Sequence, residues 1–398
     1  MNIALNISQR NSVLQEMISL IDQNSNAIIE ANTKDLEAYS GSEKAMYDRL
    51  KVDESKIENM INSLEELVAQ EDPVGVERYS FSHDNGMQVY NKTTSFGTVL
   101  IIYESRPDVT VEAAGIAFKS GNKILLKGGK ESLNSNRKIV KLWHQALLNN
   151  DITSDWIEYL NYDRKETQSF LEKPTQSVDL IVPRGGEKLI DFVKKHATCP
   201  VIVSGRGNNF VYVHKEADKA LALDNIVNGK THKISACNAV DKVLIDKNLQ
   251  NKENFVKNLI AALKSYNVEI IGDHSLSKYE EVKTITKDIV WYEEFLDHKI
   301  VIGEINGAQE AISKINQYSG GHSAAIITKN EVAAKTFMAS VDCAAVYHNA
   351  STRFTDGFQL GLGGELAIST DKLHQRGPIG LQHLVTNKWY IHGSGQIR

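Results

Sequence analysis

A chain of 398 residues exceeds the usual size of one hydrophobic core, so two domains are expected. Hydrophobic residues make up 41% and charged residues 24%, and the net charge of −5 excludes the basic surplus that tracks along nucleic acid. Three cysteines without short spacing argue against a disulfide framework and a Cys-rich zinc site; with no apolar run of bilayer length and no signal-peptide core, a cytoplasmic protein with neither membrane nor nucleic-acid partners is expected.

Three amphipathic stretches open the chain. In the third, Ile57, Met60, Ile61, Leu64 and Leu67 recur three and four apart, which predicts a helix in an outer layer. Alternating residues on either side of Asp84-Asn85-Gly86 predict a β-hairpin, which cannot stand alone and must pack on something. From residue 98, short apolar strands at 98–103, 123–127, 179–182, 201–203 and 210–213 alternate with helices near 109–119, 133–148, 185–196 and 216–228. That alternation predicts a parallel sheet covered on both faces. A second series places strands at 242–246, 268–272, 299–304, 324–328 and 344–348 and helices at 251–264, 308–318 and 331–340, with the boundary between the two α/β units near residue 229.

Parallel α/β sheets bind ligands beyond the carboxyl ends of their strands, so the loops there come first. In Tyr103-Glu-Ser-Arg-Pro-Asp-Val-Thr, Ser105 and Asp108 are capping-type residues, Pro107 suits a first helical turn, and Arg106 adds a fixed charge. Open backbone N–H groups are expected there, although a well-capped helix with a surface arginine would have the same sequence. Lys127-Gly128-Gly129-Lys130 could hold phosphate, but a Gly-Gly turn between solvated lysines is the commoner explanation. Pro183-Arg184-Gly185-Gly186-Glu187 opens a helix straight after a strand, an anion-binding arrangement. The run Gly205-Arg-Gly-Asn-Asn-Phe precedes a strand instead of following one, which rules out an ordinary dinucleotide fingerprint.

Two further segments carry chemistry. Cys237, in Ile-Ser-Ala-Cys-Asn-Ala ahead of an apolar strand, could act as a nucleophile, although a lone cysteine is more often an inert small apolar residue. The loop 348–357 crowds Asn349, Ser351, Thr352, Arg353, Thr355 and Asp356 together, a set suited to a small zwitterion with the arginine and hydroxyls on its carboxylate and the aspartate on its amine.

Taken in order, Tyr103-Glu-Ser-Arg-Pro-Asp-Val-Thr, Ser120-Gly-Asn, Leu126-Lys-Gly-Gly, Pro183-Arg-Gly-Gly, Gly207-Asn, Cys237-Asn-Ala, Asn349-Ala-Ser-Thr-Arg-Phe-Thr-Asp-Gly, His374-Gln-Arg-Gly-Pro-Ile-Gly-Leu and the terminal Gly395-Gln-Ile-Arg resemble the γ-glutamyl phosphate reductase family of the aldehyde dehydrogenase superfamily over nearly the whole chain. The resemblance implies an aldehyde dehydrogenase-like α/β fold: two Rossmann-like parallel-sheet domains plus a small β oligomerisation arm. It divides the chain into an NADP-binding domain (1–76, 96–229 and 357–384), a catalytic domain (230–356) and the arm (77–95 and 385–398).

The implied reaction is NADPH-dependent reduction of L-glutamyl 5-phosphate to the 5-semialdehyde through a thioester on Cys237, with Arg106, Asp108, Asn238, Asn349, Ser351, Thr352, Arg353 and Thr355 around the oxyanion and substrate. NADP(H) would be held by Lys127, Gly128, Gly129, Lys130, Arg184, Gly185 and Gly186, with Glu294 resembling the superfamily glutamate on the nicotinamide ribose. The stretch 203–207 lacks the glutamate base with which hydrolytic relatives activate water, as a reductase that must protect its thioester requires. The chain departs from the usual family pattern at His232-Lys-Ile-Ser-Ala before the cysteine and at Phe358-Gln-Leu after the substrate loop. A homodimer or larger oligomer is implied, with the upstream glutamate 5-kinase as a candidate partner. An acylating dehydrogenase using an acyl-CoA would share thiol and fold without needing the Asn-Ala-Ser-Thr-Arg-Phe-Thr loop.

Overall fold

The computed structural model describes residues 5–41 and 44–398. Helix α1 (Ile7–Gln23) starts at a reciprocal capping box, in which the Asn6 side chain accepts from Gln9 N–H and the Gln9 side chain accepts from Asn6 N–H, both at 3.0 Å. Helices α2 (Ser25–Ala38), α3 (Lys44–Leu50) and α4 (Glu54–Ala69) follow, so the opening layer has one helix more than its periodicity predicts. On α4 the predicted stripe of Ile57, Met60, Leu64 and Leu67 is buried in the core, with Ile61 half-buried beside it. Strands β1 (Glu77–Ser82) and β2 (Gln88–Ser95) form the expected antiparallel hairpin, turning at Gly86, whose φ of +92° suits a residue without Cβ.

The first parallel sheet consists of β3 (Thr98–Tyr103), β4 (Lys123–Lys127), β5 (Ile157–Tyr159) and β6 (Leu180–Arg184), in the order β5-β4-β3-β6. Its connecting helices are α5 (Val109–Lys119), α6 (Leu133–Asn149), α7 (Arg164–Glu172) and α8 (Glu187–His196). These strands read as continuous apolar runs because both faces are covered. Val99, Ile101, Ile124 and Leu126 enter one core cluster while Leu100, Ile102 and Leu125 enter another, and each fully buried aliphatic side chain contributes about 2 kcal/mol. Residues 201–203, expected as a strand, make only a single bridge from Val201 to Ile181.

The second sheet is larger. It comprises β7 (Asn209–Val213), β8 (Val240–Asp246), β9 (Glu269–Gly272), β10 (Val282–Thr284), β11 (Lys299–Ile305), β12 (Ser323–Ile327) and β13 (Ala345–His348), in the order β10-β9-β11-β8-β7-β12-β13. The helices are α9 (Lys219–Thr231), α10 (Lys252–Ser265), α11 (Gly307–Tyr318) and α12 (Glu331–Ser340). Short β14 (Ala367–Ser369) and β15 (Gly377–Ile379) pair with each other, and β16 (Val385–His392) pairs antiparallel with β2 over its whole length. The hairpin thus rests on the chain's own carboxyl-terminal strand. Gln396 extends the union by donating to the Asn85 carbonyl in the hairpin turn at 2.9 Å.

The chain divides into two compact units, one reaching Val203 and taking in Gly361–Ala367 and Ile379–Arg398, the other covering Ser204–Leu360 and Ile368–Pro378. The boundary expected near 229 therefore lies between 203 and 204. The reason is hydrogen bonding: β7 sits between β8 and β12, which commits it and α9 to the second unit. Likewise 357–360 and 368–378, expected in the first domain, belong to the second unit, and the hairpin arm groups with the first.

Candidate active site

In the first unit, β3, β4 and β6 end level with one another, with Ile102 opposite Lys127 and Tyr103 opposite Arg184. The loops at 103–108, 127–130 and 183–187 consequently lie together at the carboxyl edge of the sheet, as expected. Most of their polar groups are already engaged. The N–H groups of Glu104, Arg106, Val109, Thr110 and Val111 donate to carbonyls within the unit, which engages much of the expected row of open amides. Ser105 donates to the Glu131 carboxylate at 2.7 Å and ties the first loop to the second. Gly128 and Gly129 serve close packing of protein on protein: a Cβ on the first would overlap Asn136, and one on the second would come within 2.7 Å of the Ser105 hydroxyl. At the third loop, Glu104 accepts from Gly186 N–H at 3.1 Å, filling the expected anion niche beside Gly185 with the protein's own carboxylate. Arg184 donates to the Glu365 carbonyl at 3.0 Å.

Charge remains available at three places on this edge. Arg106 pairs with Asp108 at 3.0 Å, and Asp108, only 6% exposed, has an Oδ1 with no hydrogen-bond partner among the described residues. Burial opposes ionisation of Asp108, but the Arg106 and Lys56 cations prevail and hold its carboxyl below the ordinary value. Lys127 donates to the neutral Gly128 carbonyl at 2.9 Å, and burial pushes its ammonium pKa down. Lys130 is exposed.

In the second unit the thiol lies at the opposite kind of edge. Cys237 stands three residues ahead of β8, whose first residue, Val240, pairs with Asn209 at the start of β7, so the amino edge of the sheet presents it. It is exposed, whereas Cys343 is buried with its thiol pushed up to about 11 and Cys199 is half-buried and also raised by burial. Close backbone packing fixes the Cys237 turn. A Cβ on Gly207 would overlap the Cys237 carbonyl, and Asn209 Nδ2 donates to the carbonyls of Gly207, Cys237 and Ala239 at 2.8, 2.7 and 2.7 Å. Asn209 Oδ1 accepts from the Ser323 hydroxyl at 2.5 Å, and Ser323 is 3.2 Å from Nδ1 of His322, a fully buried imidazole whose pKa burial pushes down to about 4.

The loop after β13 returns to this same edge. Asn238 donates to the carbonyls of Arg353 and Thr355 at 3.2 and 2.9 Å, and Thr352 donates back to the Asn238 carbonyl at 2.8 Å. This clasp makes Arg353 an electrostatic neighbour of Cys237: burial lowers the guanidinium pKa, and the Cys237 and Asp356 charges oppose that fall. Arg353 Nε and Nη1 are buried without a hydrogen-bond partner among the described residues, as is Asn238 Oδ1.

The other polar residues of the loop build its shape. Thr355 shares a 2.8 Å hydrogen bond with the Tyr347 hydroxyl, Ser351 accepts from Arg353 N–H at 3.3 Å, and Asp356 accepts from Phe358 and Gln359 N–H at 3.0 and 3.3 Å. Asn349, with φ of +54°, accepts from Thr328 N–H and donates to the Thr328 carbonyl, each at 2.9 Å. Asn349, Thr352 and Thr355 are thus engaged within the fold, while Arg353 keeps buried donor atoms with no hydrogen-bond partner among the described residues. Glu294 lies half-buried in the segment after the turn Asp288–Trp291. Sequence reasoning passed over Asn209, His322 and Ser323; the available signal was polar residues heading strands that are otherwise apolar, where burial demands partners.

The fold and the thiol-centred site define a member of the aldehyde dehydrogenase family, whose profile matches residues 3–277. The chain is 43% identical to the γ-glutamyl phosphate reductase of Clostridium botulinum (strain Eklund 17B / Type B), over 98% of this chain and 94% of the relative, and 40% identical to that of Dictyoglomus thermophilum, over 99% and 95%. The crystal structure of the γ-glutamyl phosphate reductase from Thermotoga maritima superposes with a TM-score of 0.94 at 36% identity, covering 99% of this chain and 95% of that one. The chain belongs to the γ-glutamyl phosphate reductases, oxidoreductases of the aldehyde dehydrogenase family. That family works with a nicotinamide cofactor. The donor set fits one, since Lys127 is a half-buried ammonium with a neutral partner at the carboxyl edge of a parallel sheet, where a ribose or phosphate oxygen would complete its hydrogen bonding. Among the described residues, no helix is long and apolar enough to cross a membrane.

Proposed function

We propose that this enzyme reduces L-glutamyl 5-phosphate to L-glutamate 5-semialdehyde with release of phosphate, the second step of proline synthesis from glutamate, using NADPH. The observation that carries the reading is the half-buried side chain of Arg353, whose buried Nε and Nη1 have no hydrogen-bond partner among the described residues, clasped beside an exposed cysteine. A substrate carboxylate would supply the missing acceptors and bring its acyl phosphate to the thiol.

The Cys237 thiolate attacks the acyl carbonyl, the C–O bond to phosphate breaks, and a thioester remains on the enzyme. When bound, the nicotinamide cofactor supplies a hydride to the thioester carbon. A proton taken up on oxygen gives a thiohemiacetal; its hydroxyl then gives up that proton as the C–S bond breaks, releasing the aldehyde and restoring the thiolate. The Cys237 backbone N–H is the candidate donor to the oxyanion of both tetrahedral stages. With no carboxylate in 203–207, the segment carries no side chain that would activate water against the thioester.

Lys127 and Lys130 would hold the cofactor's adenosine ribose and favour its 2′-phosphate. The arm sheet β1-β2-β16 supports a homo-oligomer: Tyr79, Phe81, Trp389 and Ile391 are all exposed on short strands at its two edges, a surface that self-association would cover. A monomer in native mass measurement would refute the oligomer.

The assignment is tested by phosphate-dependent reduction of NADP with glutamate semialdehyde, comparing wild type with Cys237→Ala and replacing phosphate by coenzyme A in a parallel assay. At least about a thousandfold loss is expected for the variant. Retained activity in it would refute the mechanism, and turnover supported by coenzyme A but not phosphate would replace the acyl donor.

A further inference from the structure

Strand β8 begins at Val240 and carries a charged pair, Asp241-Lys242, into its buried first half, ahead of the apolar run Val243-Leu244-Ile245. Both side chains are buried, Asp241 at 2% exposure and Lys242 at 0%, a placement that requires close compensation. Their partners lie on one short segment and one helix. Lys242 Nζ donates to the Glu293 carbonyl at 2.7 Å, and Asp241 Oδ2 accepts from Phe295 N–H at 2.8 Å. The remaining carboxylate oxygen, Oδ1, accepts from Lys230 Nζ of α9 at 2.8 Å, a bridge buried on both sides. Both ammonium groups also face the Phe295 ring, Lys242 at 4.0 Å and Lys230 at 6.0 Å from its centroid.

The two peptide groups that flank Glu294 are therefore each gripped by a buried charge from β8. We propose that Asp241 and Lys242 are positioning residues for the cofactor, holding the backbone on both sides of Glu294 so that its carboxylate is presented to the nicotinamide ribose. The inference rests on the reading of Glu294 as a ribose contact. It gives β8 two tasks: the turn at its head displays Cys237, and its second and third residues fix the segment that orients the hydride donor. A surface loop would hold Glu294 with ordinary amide hydrogen bonds. Here charge-assisted bonds from two buried side chains hold it, and these are shorter and stiffer.

The charged and titratable groups facing Lys242 are Asp241 on its own strand, Lys230 on α9, and Glu293 and Glu294 on the gripped segment. Burial opposes its charge, bringing the ammonium pKa down to about 7, with Asp241 and the two glutamates acting against that fall and Lys230 adding to it. The grip thus involves a group that changes charge near neutral pH.

The test uses the full-length enzyme, with NADPH dissociation constants from cofactor fluorescence, KM for each substrate, and the rate of Cys237 alkylation by iodoacetamide. Glu294→Gln tests the underlying reading and should weaken NADPH binding. Lys242→Met keeps the chain length over Phe295 and removes the charge and the bond to Glu293; Asp241→Asn weakens the bond to Phe295. Each should raise the NADPH dissociation constant and KM about fivefold or more, leaving KM for the acyl phosphate and the alkylation rate within about twofold. The cofactor effect of Lys242→Met should also shrink above pH 8, where the wild-type lysine is itself neutral.

If Glu294→Gln binds NADPH as wild type does, the ribose reading falls and the proposal with it. If Glu294→Gln weakens binding while Lys242→Met and Asp241→Asn do not, the grip alone is refuted. A uniform loss in both KM values and in alkylation would show a general structural role and also overturn the proposal. Should Lys242→Met fail to fold, Asp241→Asn carries the same expectation.

Discussion

The two parallel sheets treat their charged loops in opposite ways. In the first unit the glycine-bearing and arginine-bearing loops at the carboxyl edge are closed largely by the protein itself: Glu104 takes the Gly186 N–H, Arg184 takes the Glu365 carbonyl, and Ser105 takes Glu131. In the second unit the arginine at the amino edge keeps buried donors without partners among the described residues. Two arginines in similar glycine- and hydroxyl-rich surroundings are therefore chemically different. What separates them is whether the fold has already supplied an acceptor, because a buried N–H left unpaired costs about 1–3 kcal/mol and makes an anionic ligand welcome.

The contrast can be broken most directly at the arginines. Arg353→Lys removes the planar fork while keeping the charge, and a loss in kcat/KM of about a hundredfold is expected, expressed mainly in KM for the acyl phosphate. Arg184→Lys should instead lower the urea midpoint of unfolding and leave KM for NADPH within about threefold. Equal kinetic losses in the two variants would erase the distinction.

A smaller effect separates the supports of the two edges by pH. His322 has its folded pKa lowered to about 4 from an ordinary 6.5, so between those values the unfolded chain binds the proton more readily. Stability from this group is present above pH 6.5 and lost as the pH falls toward 4, about 2 kcal/mol by pH 5. His322→Asn, which can keep a bond to Ser323, should flatten the decline in urea midpoint between pH 7 and 5; an unchanged slope would mean that another group controls it.

The smallest kinetic change is expected at Asn349. Its amide only braces Thr328, so Asn349→Ala should cost about 2 kcal/mol in stability and leave kcat/KM within about threefold once the protein is folded. A loss in kcat/KM as large as that of Arg353→Lys would return Asn349 to the substrate-reading set.

Local patterns made much of the architecture legible. The 98–103, 123–127 and 331–340 segments match β3, β4 and α12 to the residue, because continuous apolar runs and helical spacing are properties of a few consecutive side chains. Less legible were the short β5 and α7, where apolar residues are too few to set a period, and the boundary at 203/204, which depends on β7 pairing between β8 and β12. Motif order likewise singled out Cys237 and Arg353 without showing that Asn238 and Thr352 bind them into one site.

By itself, the sequence determined the α/β class and the family and singled out the thiol and the arginine as candidates, since each follows from residue type and order along the chain. Tertiary structure alone decided which polar groups had acceptors left to find. It closed the Arg184–Gly186 loop with Glu104 and Glu365, turned Asn349, Thr352 and Thr355 inward, left Arg353 with donors unpaired among the described residues, and joined Asp241 and Lys242 to the segment bearing Glu294. The physical reason is that hydrogen-bond satisfaction is a property of the whole packed neighbourhood, and partners more than a hundred residues apart supply it here, as Thr352 and Asn238 do.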